Sequence, residues 1–525
     1  MKNRYLYFIL MALTMASVSP TSAWAQASSS KSDYTLNKLY WLAPSATLAN
    51  PAFLPQVTQA LNPVKAFTDA ALNGSYEMGP LRNTFDPETR FDKGLNIRSH
   101  SALGNVSLYG RFAYDHTNLG GSQWRGLYNP YSTPFMMTDS IPGNATLELY
   151  QMEMGLSVPL GRNWSLGAAV RYHAGVMAKH KDLRNRNVLM QFDIRPGLAY
   201  HGAHLSVGLD VRYIRSTEKI EYMQVDASTE KYLFDIYGLW VFNSQGYSSA
   251  ETSRLKETQA YGAAAQVTWR AGAMASHNRF EALYSLDEQG ETGYNNLRQG
   301  DAKQLTYTYE GILTWGLQHR LAGSFRKSDL LGYRYLQQQE LDSASNIRRW
   351  VTYDVMNTYK GARSDWNAAY TFRKARSAWD IAWEATAGIS GTAWDRETVE
   401  YPQRFHQRIA YWEAYALYTQ HVPMGRKGLL SLTPSLAYRK GNGIPLETVL
   451  EDNSQTISTG EGAWMLMDPL QQEYAYWTQA RLTAGLRVRY AYALPKGGVG
   501  LYADAGYRVA FSTRHTMQLA IGITF

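Results

Sequence analysis

The sequence predicts an all-β protein, a transmembrane antiparallel β-barrel with short periplasmic turns and long extracellular loops. Three observations lead to this fold class. The N-terminus carries an export signal, long segments alternate between apolar and polar residues, and the chain ends in an apolar strand that closes on Phe525. Because successive side chains of a strand point to opposite faces, the alternation gives each segment one apolar face.

Residues 1–25 have the pattern of a cleavable signal peptide. A basic start precedes the apolar run 6–18, which is too short to span a bilayer, and Ala23 and Ala25 mark a cleavage site before Gln26. No later stretch reaches the roughly 20 apolar residues of a transmembrane helix. We therefore expect an exported protein, for which the periplasm, secretion and barrel insertion into the outer membrane are the open alternatives.

The amino-acid composition excludes several kinds of chemistry and one class of partner. The 525 residues include no cysteine, which excludes disulfides, thiolate metal sites and cysteine nucleophiles. Tyrosine is in excess, with 38 Tyr against 16 Phe and 15 Trp, and tyrosine suits surfaces that are half apolar and half wet. The net charge of +8 is mild and spread along the chain, so we predict no nucleic-acid partner.

The alternation is clearest at the C-terminus. There every second residue from 517 onward is apolar, namely Met517, Leu519, Ile521, Ile523 and Phe525. A soluble β-sandwich would show the same parity, but segments here commonly run to about 11 residues, whereas globular strands have about 5–6. The opposite face carries arginines and carboxylates among small residues, which suits a wet lumen. The ending resembles the signature of Gram-negative outer-membrane proteins that the barrel-assembly machinery recognises, so we expect that machinery as a partner.

Short and long connections alternate along the chain, as they do in bacterial barrels. The short turns, a first strand near residues 71–78 and the final strand together predict about 18 strands, with about 16 as the alternative. The barrel is predicted over residues 70–525. Within it, residues 320–373 are predicted to form two very long strands that project above the membrane. The predicted extracellular loops include 117–145, 217–255 and 441–471. The first is rich in aromatic residues, and the open alternatives for it are a structured external loop and a loop folded into the lumen.

Residues 26–69 lack the alternation and contain four prolines. Short pieces at 57–61 and 64–72 are compatible with helices. A periplasmic lead-in and a small plug inside the barrel both fit this region, which is too short for an independent enzyme domain.

The order of features resembles a family of uncharacterised Gram-negative outer-membrane barrels, known as a domain-of-unknown-function family. The matching residues are Trp41, Asn50-Pro51-Ala52, Asn129-Pro130-Tyr131, residues 139–143, residues 181–187 and Arg195-Pro196-Gly197. Separately, Asn50, Pro51 and Ala52 are similar to the Asn-Pro-Ala motif of long-chain fatty-acid transporters. That resemblance implies a short N-terminal hatch that plugs a barrel and couples to a hydrophobic ligand.

The candidate site consists of charged residues on the polar face of the alternating strands, because that face is predicted to line the lumen. They form either a charged constriction that selects solutes or salt-bridge ladders that stiffen the barrel. The candidates of most uniform charge are three arginines near the C-terminus, Arg487, Arg489 and Arg508. We predict a lumenal anion site at this cluster. The lumen-facing candidates are Arg487, Arg489, Arg508, Asp504, Arg171, Arg212, Asp210, Glu153, Asp380 and Glu384.

The sequence carries no motif for catalysis, a metal or a cofactor. The pair His201 and His204 has no carboxylate cluster beside it, so we predict no metal site. The nearest approach to a Gly-x-Ser-x-Gly motif, residues 155–159, lies inside a predicted strand. We therefore expect no enzyme and no cofactor, with a hydrolase at the barrel rim as the least favoured alternative.

The favoured function is a channel or transporter for small or hydrophobic solutes across the outer membrane. The alternative is a structural or interaction barrel that scaffolds a cell-surface complex through its loops. The expected partners are outer-membrane lipids, lipopolysaccharide held by the basic segment 179–186, and a surface protein or glycan.

Overall fold

Eighteen antiparallel strands form one closed sheet, in which each strand hydrogen-bonds to the next along the chain and the last returns to the first. The computed structural model thus confirms the all-β barrel and about 18 strands rather than 16. The structure describes residues 49–61, 66–226, 228–247, 252–291, 297–342, 346–377, 380–401, 403–425, 427–450, 465–494, 499–511 and 514–525. The signal peptide and its cleavage site lie outside these residues.

Strands are numbered in chain order, including three that lie outside the barrel. The barrel strands are β1 (Ala66–Met78), β2 (Thr89–Leu103), β3 (Val106–Ser122), β5 (Gly143–Leu160), β6 (Trp164–Lys179), β7 (Arg184–His201), β8 (Leu205–Met223), β11 (Thr252–Ala271), β12 (Met274–Glu291), β13 (Arg298–Trp315), β14 (His319–Asp342), β15 (Ile347–Ser377), β16 (Asp380–Glu400), β17 (Gln403–Met424), β18 (Gly428–Leu450), β19 (Arg481–Ala493), β20 (Gly500–Phe511) and β21 (Arg514–Thr524). The other elements are β4 (Phe135–Thr138), β9 (Lys231–Tyr237), β10 (Phe242–Tyr247), α1 (Leu54–Leu61) and α2 (Met467–Thr478).

The barrel closes where its first and last strands meet. β1 pairs with β2 on one side and with β21 on the other. At the end of this seam, the Thr68 amide donates to the Phe525 carbonyl at 2.7 Å and the Phe525 amide donates back at 2.9 Å. β1 begins at Ala66, before residue 70 where the barrel was expected to start, and it occupies part of the segment 64–72 that looked compatible with a helix.

The two faces of the wall differ as the alternation predicts. On β8, Leu205, Val207 and Leu209 point outward and are exposed, whereas Ser206 and Asp210 point inward and are buried. Large apolar side chains are exposed in this way on all sides of the barrel, which makes the outer surface a face for lipid. None of the helices in the described ranges has the length and apolar content needed to cross a bilayer.

The two ends of the barrel differ in the length of their connections. Tight turns such as Gly104–Asn105 and Gly272–Ala273 join strands at one end, where the first barrel strand begins and the last one ends. We call this the short-turn end and the opposite one the loop end. β14 has 24 residues and β15 has 31, so both continue well past the 9–11 or so residues that cross a membrane, as predicted.

Several connections at the loop end fold together. We define the loop cluster as residues 79–88, 123–142, 228–247 and 465–480. It contains α2 and the separate antiparallel sheet in the order β10–β9–β4. Its apolar core includes Phe85, Leu127, Met136, Trp240 and Leu470, all buried.

The expected loops at 217–255 and 441–471 are shorter than predicted. β8 runs on to Met223, β11 begins at Thr252 and β18 reaches Leu450. These strand ends stand beyond the lipid-facing belt, where charged residues interrupt the apolar parity that marks a strand in sequence. The short strands β9 and β10 and the helix α2 were not anticipated, because tertiary packing rather than periodicity stabilises them.

The outward face of β21 gives a test of the barrel's orientation in lipid. Leu519 points outward and is 66% exposed, whereas the neighbouring Gln518 points into the lumen beside Gly506. We expect Leu519→Arg to lower the free energy of unfolding in lipid vesicles by about 2–4 kcal/mol, because it places a charge in hydrocarbon. Gln518→Arg is the matched control and should change it by less than about 1 kcal/mol, since the lumen is wet. Equal losses for the two variants, measured by denaturant titration, would contradict the assignment of the faces.

Candidate functional site

The chain's own N-terminal segment enters the barrel at the short-turn end. The Asn50 side chain accepts from the Ala52 amide at 3.0 Å, which begins a tight turn at Pro51–Phe53 that continues into α1. Residues 50–53 are all buried. The proposed plug motif Asn50, Pro51 and Ala52 therefore packs against protein rather than extending into solvent.

Glycines in the wall make the space for this segment. Gly167, Gly197 and Gly208 lie on three neighbouring strands, β6, β7 and β8, and point inward. A Cβ at Gly167 would collide with the backbone of Pro51 and Ala52, and one at Gly208 would collide with the Phe53 ring. The wall thus has a niche that matches the shape of residues 50–53, and glycine is needed because backbone approaches backbone.

Polar contacts fix the segment in the niche. The Ser165 hydroxyl donates to the Ala52 carbonyl at 2.6 Å, and the Arg195 guanidinium donates to the Ala49 carbonyl at 2.7 Å. His201 hydrogen-bonds to Ser165 at 2.6 Å and meets the Phe53 ring edge-on at 5.4 Å. His201 therefore serves packing and hydrogen bonding. In the described residues no group of three or more His, Asp or Glu side chains is placed to hold a metal ion.

A neutral network of six charged side chains lies beside the segment on the inner wall. Arg212 bonds to Asp193 at 2.7 Å, and Arg279 bonds to Asp210 at 2.5 Å. Glu281 joins the two pairs, accepting from each arginine at 3.1 Å. With Arg195 as the sixth member, 3.7 Å from both Asp210 and Glu281, the network has three arginines and three carboxylates. The members are Asp193, Arg195, Asp210, Arg212, Arg279 and Glu281.

Other predicted lumenal residues are also paired. Arg171 bonds to Glu153 at 2.7 Å across β5 and β6. Glu384 lies opposite Arg373 in the register of β15 and β16. Asp380 begins β16, but its side chain lies outside what the structure describes. On this part of the wall the salt-bridge ladder is the better description of the charges.

The C-terminal arginine group carries a smaller excess of positive charge than the sequence indicates. Asp504 lies between its arginines, bonded to Arg487 at 2.8 Å and 3.8 Å from Arg489. The Arg489 guanidinium also stacks over the Tyr502 ring at 3.8 Å. Arg508 is exposed in the lumen and has no ion pair within the described part of the chain. An anion site here stays a prediction, with Asp504 as an internal competitor.

Two of the four lysines and arginines in the basic segment 179–186 are closely paired with carboxylates. Lys179 is buried against Asp139 at 2.5 Å, and Arg184 bonds to Asp182 at 2.8 Å. Burial raises the pKa of Asp139, and the neighbouring ammonium of Lys179 opposes that rise. Binding of lipopolysaccharide phosphates by this segment stays a prediction.

A cavity of about 320 Å³ lies inside the loop end, between the loop cluster and the inner faces of β13 to β16. Aromatic and apolar side chains form much of its lining, and five charged side chains complete it. Its size is at the lower end of small-molecule sites, about 300–1,000 Å³. The lining includes Phe85, Tyr131, Met136, Ile236, Trp240, Leu330, Tyr359, Trp394, Arg326, Arg363, Asp365, Arg396 and Glu473.

One buried ion pair fastens the loop cluster to the wall above this cavity. Arg396 of β16 binds both carboxylate oxygens of Glu473 in α2, at 3.0 and 3.2 Å, and Glu473 is fully buried. The Arg396 guanidinium also covers the Trp394 ring at 3.7 Å. Trp240 donates its indole N–H to Glu473 at 3.4 Å, so a third element joins the same carboxylate.

Sequence reasoning missed most of this site. Four of the charged lining residues occupy strand positions that face the lumen. These are Asp365, Arg326, Arg363 and Arg396. Following the alternation along β14 and β15 would have indicated Arg326 and Arg363. Arg396 lies between Asp395 and Glu397, where no apolar neighbour marks the outer face. Glu473 and Trp240 come from loops, whose positions no periodicity specifies.

The niche for the N-terminal segment is testable with one methyl group. Gly167→Ala should displace residues 50–53, because the added Cβ meets their backbone. Gly110→Ala is the control, as a Cβ there meets nothing within 4 Å. We expect limited proteolysis of the folded barrel to cut the N-terminal segment faster in Gly167→Ala only. Equal cleavage rates in both variants and the wild type would show that the segment does not depend on the niche.

Comparison with known proteins places the chain in a family. No curated protein matches it. Among solved structures it is similar to the ferric preacinetobactin receptor BauA of Acinetobacter baumannii, with 8% identity and a TM-score of 0.37 over 87% of this chain and 80% of that one. It is also similar to a FadL homologue of Pseudomonas aeruginosa, with 12% identity and a TM-score of 0.36 over 96% and 99% of the two chains. The sequence matches a family of unknown function, DUF6850, over residues 51–525, and the chain belongs to that family.

Proposed function

We propose that the protein is an outer-membrane β-barrel that carries small solutes through a lumen closed in its resting state. The observation that carries the proposal is a solute-sized cavity, partly open to solvent, between the loop cluster and the inner wall of the barrel. The N-terminal segment stands at the other end of the lumen. A barrel that only filled space would not need such a cavity, and an open pore would not need segments at both ends.

The location follows from the outer surface. The exposed apolar belt fits a bilayer, and bacterial barrels of this kind have short turns on the periplasmic side. In that orientation the loop cluster faces outside and the N-terminal segment faces the periplasm. Export by a cleaved signal peptide, assembly through the strand ending at Phe525 and contact with lipopolysaccharide are parts of the proposal. It includes no catalytic step and no cofactor.

The β14–β15 hairpin supports a second candidate function, an interaction barrel. This hairpin stands beyond the membrane and exposes apolar side chains there, including Leu341, Val351 and Tyr353. A cell-surface protein could cover them. Co-purification of a stoichiometric partner that is lost when the hairpin tip is shortened would favour this candidate.

The buried pair in the loop cluster gives a test of gated transport. Glu473→Gln leaves Arg396 buried without its counter-charge, which costs about 3–5 kcal/mol and loosens α2. We expect proteoliposomes with this variant to swell several-fold faster in arabinose than those with the wild type.

The control for this experiment is Glu257→Gln. Glu257 pairs with Arg215 at 3.7 Å on the exposed outer face, so its loss should leave swelling unchanged. If neither the wild type nor Glu473→Gln admits arabinose or glycine, the protein is not a transporter of small solutes. If the wild type swells as fast as the variant, the lumen is not gated by the loop cluster.

A further inference from the structure

The charges in the cavity are unbalanced, and the imbalance is located at one residue. The lining has three arginines, Arg326, Arg363 and Arg396, against two carboxylates, Asp365 and Glu473, so it holds one excess positive charge. The charge of Arg396 is paired with Glu473 through two hydrogen bonds. Arg363 is satisfied by Asp365 at 2.9 Å.

Arg326 is the cation left over. It lies on β14 between the outward-facing Phe325 and Lys327, and its own side chain points into the lumen, where it is also exposed to solvent. Its guanidinium has no hydrogen bond or ion pair within the residues that the structure describes. Asp365 is its cross-strand neighbour in the register but already accepts from Arg363 and from the Thr392 hydroxyl at 2.7 Å. An arginine offers five N–H donors in a planar fork that matches a carboxylate.

The opposite side of the cavity is apolar. Met136 and Ile236 of the loop cluster line it together with the rings of Trp240 and Phe85, which stack on one another at 5.3 Å. Burial, with Glu473 nearby, raises the pKa of Tyr131 well above its ordinary value, so its phenol stays neutral and adds no negative charge. An occupant would therefore meet one unsatisfied cation on one side and hydrocarbon on the other.

We propose that this cavity binds a small amphipathic anion, with its carboxylate on Arg326 and its apolar body against the loop cluster. A volume of about 320 Å³ corresponds to roughly ten water molecules, which limits the occupant to a compact solute. The inference rests on the proposed function only in making this anion the transported solute. Binding itself requires no transport.

Benzoate and its neutral isostere benzamide are suitable probes. With the full mature chain in neutral detergent, isothermal titration calorimetry should show benzoate binding to the wild type at least about tenfold more tightly than benzamide, because only benzoate can form charge-assisted bonds to Arg326. Arg326→Gln should weaken benzoate binding at least about tenfold and leave benzamide unchanged. Arg326→Lys should give an affinity between those of the wild type and Arg326→Gln, since it keeps the charge but loses the planar fork.

Lys327→Gln is the matched control, because it removes the same charge from the adjacent residue on the outer face. It should leave benzoate binding unchanged. Equal binding of benzoate and benzamide by the wild type would overturn the proposal without any variant, as would the absence of benzoate binding or an Arg326→Gln affinity equal to that of the wild type. Because calorimetry reports occupancy and swelling reports flux, failure of this inference and failure of the transport proposal are separate results.

Discussion

The closed ladder of backbone hydrogen bonds is the constraint on which the rest of the structure depends. In hydrocarbon no water is available to satisfy an unpaired N–H or C=O, so a sheet can cross only if its first and last strands meet. Here they meet at the seam of β1 and β21, which the Thr68 and Phe525 amides complete. The apolar parity of the strands then faces lipid, and the polar parity faces the lumen. Everything polar or functional must lie inside the wall or at its ends.

A barrel of this size has an interior that its wall side chains do not fill. Two parts of the chain enter that space, one at each end. The N-terminal residues 50–53 fit a niche of inward-facing glycines, and the loop cluster is fastened by the Arg396–Glu473 pair. Between wall strands the charges are mostly paired with one another. Among the described residues, Arg508 in the lumen and Arg326 in the cavity are two cations that lack an ion pair.

The barrel was largely predictable from sequence, and the cavity was not. Parity along segments such as 515–525 specifies which face meets lipid, because a strand has a period of two residues. Alternation also indicated the long strands of 320–373, whereas the plug motif at Asn50, Pro51 and Ala52 was indicated by its resemblance to long-chain fatty-acid transporters. It could not show that Asp504 lies between Arg487 and Arg489, which depends on register across strands. It could not place Trp240 or Glu473 either, because both lie in loops positioned by packing rather than by periodicity.

The central claim is that the chain's own segments close the lumen at both ends. The conductance of single wild-type molecules of the full chain in a planar lipid bilayer tests this closure directly. We expect a closed baseline with at most brief openings, because the N-terminal segment and the loop cluster are both held by specific contacts. A steady open conductance typical of a water-filled porin would contradict it.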